Sequence, residues 1–171
     1  EGASIGKYLD GLIKKVTSHP KIQVLAQSLV VGFSGFKGNF TTELLVGPGM
    51  YERKIEHGVM ILATGGNEYR PSEYLYGQDP RILTQIELAE KLEKDSLTDI
   101  DQVVMIQCVG SREPPRNYCS RICCTTALKN ALRMKADNPD LSIYILYRDM
   151  MTYGFAEATY TRARREGIVF I

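Results

Sequence analysis

The sequence carries almost no net charge, +1 over 171 residues, so no strong field of either sign marks it for nucleic acid or an anionic membrane surface. It has no long apolar run; stretches such as Val103–Ile106 fall far short of a membrane span. No signal peptide, internal repeat or low-complexity tract is visible. The chain starts without an initiator Met in "EGASIGKYLDGLIKKV" and stops inside "EGIVFI", which predicts a piece of a longer polypeptide. Cysteine is absent outside Cys108–Cys124, where all four lie. A disulfide framework would spread cysteines across the domain, so their clustering favours a metal or redox centre in a reducing compartment such as the cytoplasm. An Asn39–Thr41 glycosylation sequon, without a secretory signal, reads as chance.

What is present is ordinary for a globular protein: 44% apolar and 24% charged residues. Ile5, Leu9, Leu12, Ile13 and Val16 recur at helical spacing, predicting an amphipathic helix over Ser4–Ser18 that His19-Pro20 ends. Strands are predicted over about Gln23–Phe33, over "NFTTELLV" and over "YERKIEHGVMILAT", the last buried at "VMILA" and broken at Thr64-Gly65-Gly66. A polar connector, "YRPSEYLYGQDPR", leads to a helix in "TQIELAEKLEK". There Thr84 and Glu87 form a capping box, and Ile86, Leu88 and Leu92 give an apolar side. "SLTDID" closes that helix. The remainder alternates: strand "QVVMIQCVG", helix "CSRICCTTALKNALRMKAD" stopped by Pro139, strand "LSIYILYR", helix "AEATYTRARRE" opened near Gly154, strand "GIVFI". Such β–α–β–α–β alternation implies a parallel sheet covered by helices. The expected division is a helix-plus-meander segment at 1–72 and a Rossmann-like segment at 73–171.

Ligands of open parallel sheets sit at the carboxyl ends of strands, where Cys108 lies. A dinucleotide loop would need something close to G-x-G-x-x-G, yet only Gly110 is present, and Pro114 and Pro115 remove two backbone donors. Instead the cysteines are spaced C-x10-C-x3-C-C. On a helix, Cys119 and Cys123 would lie one turn apart on one face, Cys124 about 100° round, and Cys108 would approach from the strand end. The helix dipole and Arg112, Arg116 and Arg121 would offset thiolate charge. Four thiolates suit tetrahedral zinc or an iron–sulfur cube, and adjacent cysteines are easier for a cube with several metal corners. Buried thiols without any ligand, and an NAD(P)-binding-like domain with structural zinc, remain as alternatives. Asp149 could hold a ribose hydroxyl, but without a glycine loop Arg148 and Asp149 read better as a structural pair or as contacts to the cysteine loop. His19 and His57 read as surface residues, and the Arg162–Arg165 run as a solvated helix face.

The stretches "MIQCVGSREPPRNYCSRICCTTALKNALRMK" and "YILYRDMMTYGFAEATYTRARREGIVFI", with "GFKGNFTTELLV", "GVMILATGG" and "YRPSEYLYG" upstream, resemble the HdrA family across essentially the whole chain. This is the flavin-containing component of heterodisulfide reductase, with relatives in quinone-interacting oxidoreductase complexes. The resemblance implies a thioredoxin-reductase-like fold, an FAD domain with a second nucleotide-binding-like domain inserted, in an oxidoreductase of anaerobic metabolism. It implies a [4Fe-4S] cluster on Cys108, Cys119, Cys123 and Cys124, and places Ala63, Thr64 and Gly65 beside FAD in the full-length protein. The family's amino-terminal G-x-G-x-x-G turn is not in this sequence, so the chain alone is expected not to retain FAD. The implied partners are other subunits of a redox complex, with no nucleic acid and no membrane span. The resemblance assigns no catalytic residue to this stretch.

Overall fold

The computed structural model describes residues 5–94 and 100–171. The chain is mixed α/β and divides into two compact units, Glu1–Gly65 and Gly66–Ile171. No helix among the described residues is long and apolar enough to cross a membrane.

The first unit begins with helix α1, Ile5–Thr17, at the predicted place. Its Leu9, Leu12, Ile13 and Val16 do form a stripe, but that stripe is exposed. Strands β1 (Ser28–Phe36), β2 (Asn39–Val46) and β3 (Tyr51–His57) follow as an antiparallel meander in the order β1-β2-β3. A bulge lies between Val30 and Gly32. Thr42 is buried and hydrogen-bonds His57 Nε2 at 2.7 Å, so this histidine is a packed, partnered side chain rather than a plain surface one.

Two predicted strand boundaries fail here for the same reason, the length of β2. Ser28 pairs with Val46, the last residue of β2. The backbone before it turns left-handed at Gln27 (φ 51°), whose carbonyl accepts from Gly47 N–H at 2.9 Å, and the strand expected from Gln23 starts at Ser28. At the other end His57 pairs with Phe40, one residue from the start of β2, and the Gly58 carbonyl accepts from Gly38 N–H of the β1–β2 turn at 3.2 Å. "VMILA" therefore has no ladder to join. Val59 (74% exposed), Ile61 (85%) and Leu62 (80%) stand in solvent where burial was expected. The Val59 carbonyl is taken by His57 Nδ1 at 3.0 Å.

In the second unit the parallel sheet forms as predicted, in the order β4 (Gln102–Ile106), β5 (Ser142–Leu146), β6 (Val169–Phe170). Helix α2 spans Gln85–Lys94 and α3 Cys123–Asp137. A short 3₁₀ turn, Gly154–Ala156, leads into α4, Glu157–Arg165. The capping box of α2 is present: Thr84 N–H donates to Glu87 Oε2 at 2.9 Å and Glu87 N–H to Thr84 Oγ1 at 3.3 Å. Leu88 and Leu92 face the core, but Ile86 is half exposed, off the buried side where it was expected. Most of "SLTDID" lies outside the described residues.

Leu128, Ala131 and Leu132 of α3 pack with Met105, Ile143 and Ile145 of the sheet in one core that also takes Ala163 from α4. Val104 and Ile106, on the other face of β4, are exposed, so helices cover one sheet face in this chain. Asn130 ties α3 to α2 by donating to the carbonyl and side-chain oxygens of Gln85, at 3.0 and 2.8 Å. The arginines of the Arg162–Arg165 run are solvated, as predicted, while Ala163 between them is buried. Thr84→Ala removes the cap of α2 and is expected to lower the unfolding free energy by about 1 kcal/mol in chemical denaturation.

Candidate functional site

Cys108 lies just beyond β4, whose hydrogen bonding to β5 continues through Gln107 N–H to Leu146 O at 2.9 Å. The chain then turns sharply. Cys108 (φ 63°), Gly110 (φ 65°) and Arg112 (φ 63°) are left-handed, separated by residues that are not. Ser111 N–H donates back to Cys108 O at 3.1 Å. Gly110 is required twice over. Its backbone is left-handed, and a Cβ there would stand 2.0 Å from the Tyr69 ring. The Arg116 guanidinium stacks over that ring, 4.2 Å from its centroid.

The loop is fastened to the end of β5. Arg148 donates to the Arg112 carbonyl at 2.9 Å and pairs with Glu113 Oε2 at 2.8 Å, while Arg112 pairs with Asp149. Arg148 and Asp149 are thus contacts to the cysteine loop and not a pair with each other. A cleft of about 260 Å³ at the carboxyl ends of β4 and β5 is lined by Gln107, Cys108, Gly110, Glu113 and Arg148 among others.

Helix α3 starts at Cys123, so Cys119 is not on it, contrary to the spacing argument. Arg121 is left-handed (φ 62°) and breaks the helical path, and its N–H donates to Cys119 Sγ at 3.3 Å. Cys124 falls on the buried stripe of α3 with Leu128 and Ala131 and is itself buried. The cap residue Ile122 offers no side-chain acceptor, which leaves the α3 N-terminus without a side-chain cap from Ile122.

Cys124 Sγ–H donates to the Asp149 carbonyl at 3.9 Å. The adjacent Cys123 thiol, with the Arg112 charge acting the same way, brings the Cys124 thiol down to about 6 against burial. The adjacent Cys124 and burial push the Cys123 thiol up. Arg112 stands in the same turn as Cys108, and its charge is felt at Cys124. The four sulfurs are not drawn into one ligand shell: among the described residues no three His, Cys, Asp or Glu side chains converge closely enough to hold a metal ion.

The surroundings nevertheless fit an anionic, sulfur-rich group. The buried side-chain polar atoms without a partner among the described residues are Arg112 Nη1, Gln107 Nε2 and Thr152 Oγ1. Arg112 belongs to the cysteine loop, and Gln107 lines the cleft together with Cys108. Buried donors are seldom left unsatisfied without reason. Sequence reasoning missed Gln107 and Thr152; a lone polar residue in the apolar run "VVMIQCVG" was the available signal for Gln107, and nothing marks Thr152. Ala63, Thr64 and Gly65 lie in the exposed, irregular stretch after β3.

The chain is similar to the HdrA-type iron–sulfur subunit of CoB–CoM heterodisulfide reductase from Methanocaldococcus jannaschii, 36% identical over 138 residues, which is 70% of this chain and 21% of that protein. It is 35% identical over 141 residues to the corresponding iron–sulfur subunit from Methanopyrus kandleri, again 70% of this chain and 21% of the relative. The HdrA protein of a ferredoxin:CoB–CoM heterodisulfide reductase from Methanosarcina acetivorans is 32% identical over 157 residues, 67% of this chain and 20% of that protein. The chain belongs to the HdrA family. It spans about a fifth of the length of these relatives. No family model matches the chain. Heterodisulfide reductase subunits are oxidoreductases, and two of these relatives are named as iron–sulfur subunits.

If Gly110 has the double role described, Gly110→Ala lowers stability by more than about 1 kcal/mol, the left-handed backbone cost alone. In a Tyr69→Ala background the ring clash disappears, and the penalty measured by denaturation is expected to fall to about 1 kcal/mol.

Proposed function

We propose that this chain is an electron-transfer module of a flavin- and iron–sulfur-dependent oxidoreductase, binding one [4Fe-4S] cluster through Cys108, Cys119, Cys123 and Cys124. The observation that carries the reading is the buried Arg112 Nη1, without a partner among the described residues, in the turn that begins at Cys108, with Cys123 and Cys124 at the start of α3. The names of the relatives support an iron–sulfur group. In this reading residues 1–72 are part of a flavin domain, in which Ala63, Thr64 and Gly65 lie beside FAD in the longer protein. Residues 73–171 are the Rossmann-like, cluster-bearing part of a thioredoxin-reductase-like architecture.

When bound, such a cluster accepts and releases single electrons. The chain's own residues do the rest. Cys108 is presented by the β4 turn and Cys124 by the buried stripe of α3, which fixes two ligands against rigid elements. Cys119 sits in the loop before α3, where its sulfur accepts from Arg121 N–H. Arg112 offsets negative charge. The partners in this reading are other subunits of a redox complex, and the setting is the reducing cytoplasm of an anaerobe.

A second reading, an NAD(P)-binding-like domain with a structural zinc, is favoured by the cleft at the carboxyl ends of β4 and β5. Pro114 and Pro115 and the side chains packed on Gly110 leave that loop poorly suited to a pyrophosphate.

The test is iron uptake by variants. After anaerobic reconstitution with iron and sulfide, Cys108→Ser and Cys119→Ala are each expected to lose most of the visible absorbance and bound iron of the parent chain. Unchanged iron in both variants contradicts the ligand assignment.

A further inference from the structure

Arg112 is unusual among the cations of this unit. Its N–H donates to Tyr118 O at 3.3 Å, its carbonyl accepts from Arg148 at 2.9 Å, and its guanidinium pairs with Asp149, so backbone and side chain are fixed together. The residue is held left-handed at φ 63°, a conformation rare for a non-glycine residue. The other nearby cations are committed or remote: Arg116 lies over Tyr69, Arg148 pairs with Glu113, and Arg121 is exposed. Only part of the guanidinium is used by Asp149, and Nη1 is buried without a partner among the described residues.

We infer that Arg112 is a positioning residue that sets the charge at the cysteine site: Asp149 holds its guanidinium so that the buried, unpartnered Nη1 donates to the sulfur-ligated group at Cys108 and Cys124. The inference rests on the cluster reading above. A charge-assisted donor to sulfur favours the more negative, reduced state of such a group, since hydrogen bonds and net charge around the sulfurs set its potential. The Arg112–Asp149 pair is the adjusting device. The side chain of Asp149 is 63% exposed while that of Arg112 is 28% exposed, so the carboxylate can be altered from solvent without opening the core. Asp149 tempers the guanidinium charge that the sulfurs experience.

The two members of the pair therefore make opposite predictions. In the reconstituted 171-residue chain, a redox titration followed by visible absorbance and by electron paramagnetic resonance of the reduced state is the readout. Arg112→Met is expected to bind iron and to shift the midpoint to more negative potential. The shift corresponds to about a tenfold change in the oxidised-to-reduced ratio at fixed potential, ~59 mV for a one-electron couple. Asp149→Asn keeps a side-chain oxygen that accepts from Arg112 Nη2 and so holds the guanidinium in place while removing the carboxylate charge, and it is expected to shift the midpoint to more positive potential. Should Arg112→Met fail to fold, the sign of the Asp149→Asn shift decides. A midpoint unchanged in Asp149→Asn, or shifted in the same direction by both variants, overturns the inference and leaves the cluster reading standing. A parent chain that takes up no iron and sulfide overturns the cluster reading and this inference with it.

Discussion

Parallel pairing of β4 with β5 is the constraint on which the cysteine site depends. Register from Gln102↔Ser142 to Ile106↔Leu146 brings both strands to the same end of the sheet, and the Gln107–Leu146 hydrogen bond carries the alignment one residue further. Cys108 emerges at that end, and so do Arg148 and Asp149 from β5. The pairing is held by the burial of Met105, Ile143 and Ile145 under α3. The same packing fixes the start of α3, where Cys123 and Cys124 stand. A slip of one residue in either strand would turn that strand's buried side chains to the open face and separate the Arg148 and Asp149 anchors from the loop they hold. Core and site are therefore coupled through one ladder.

The loop between Cys108 and α3 has few backbone bonds of its own: Ser111 to Cys108, Arg112 to Tyr118, and Glu113 to Arg116. Its shape comes mainly from side-chain contacts, with Tyr69 against Gly110 and under Arg116, and with Arg148 and Asp149 holding Arg112 and Glu113. Such contacts are exposed and individually weak.

Much of the second unit was legible in the sequence because local and global signals agree there. The Thr84–Glu87 capping box, the stop before Pro139 and the alternation that gives three parallel strands all appear where expected. What escaped depends on facts that a local pattern does not contain. Helical spacing from Cys119 onward ignored the left-handed Arg121, which moves the helix start to Cys123. "VMILA" has the composition of a buried strand, but burial needs a neighbour, and β2 ends before it can provide one. Ile86 fitted the apolar side of α2 by spacing and lies on its solvent side. The four cysteines stand out by spacing alone, whereas the unsatisfied buried side chains of Gln107 and Thr152 become visible only when burial is known.

The central claim is that these four cysteines hold an iron–sulfur cluster in a member of the HdrA family. It is tested most directly by analysing metal and acid-labile sulfide in the chain reconstituted without oxygen. The account predicts about four irons and four sulfides per chain, with broad visible absorption that bleaches on reduction. One zinc and no sulfide would contradict it and make the site structural.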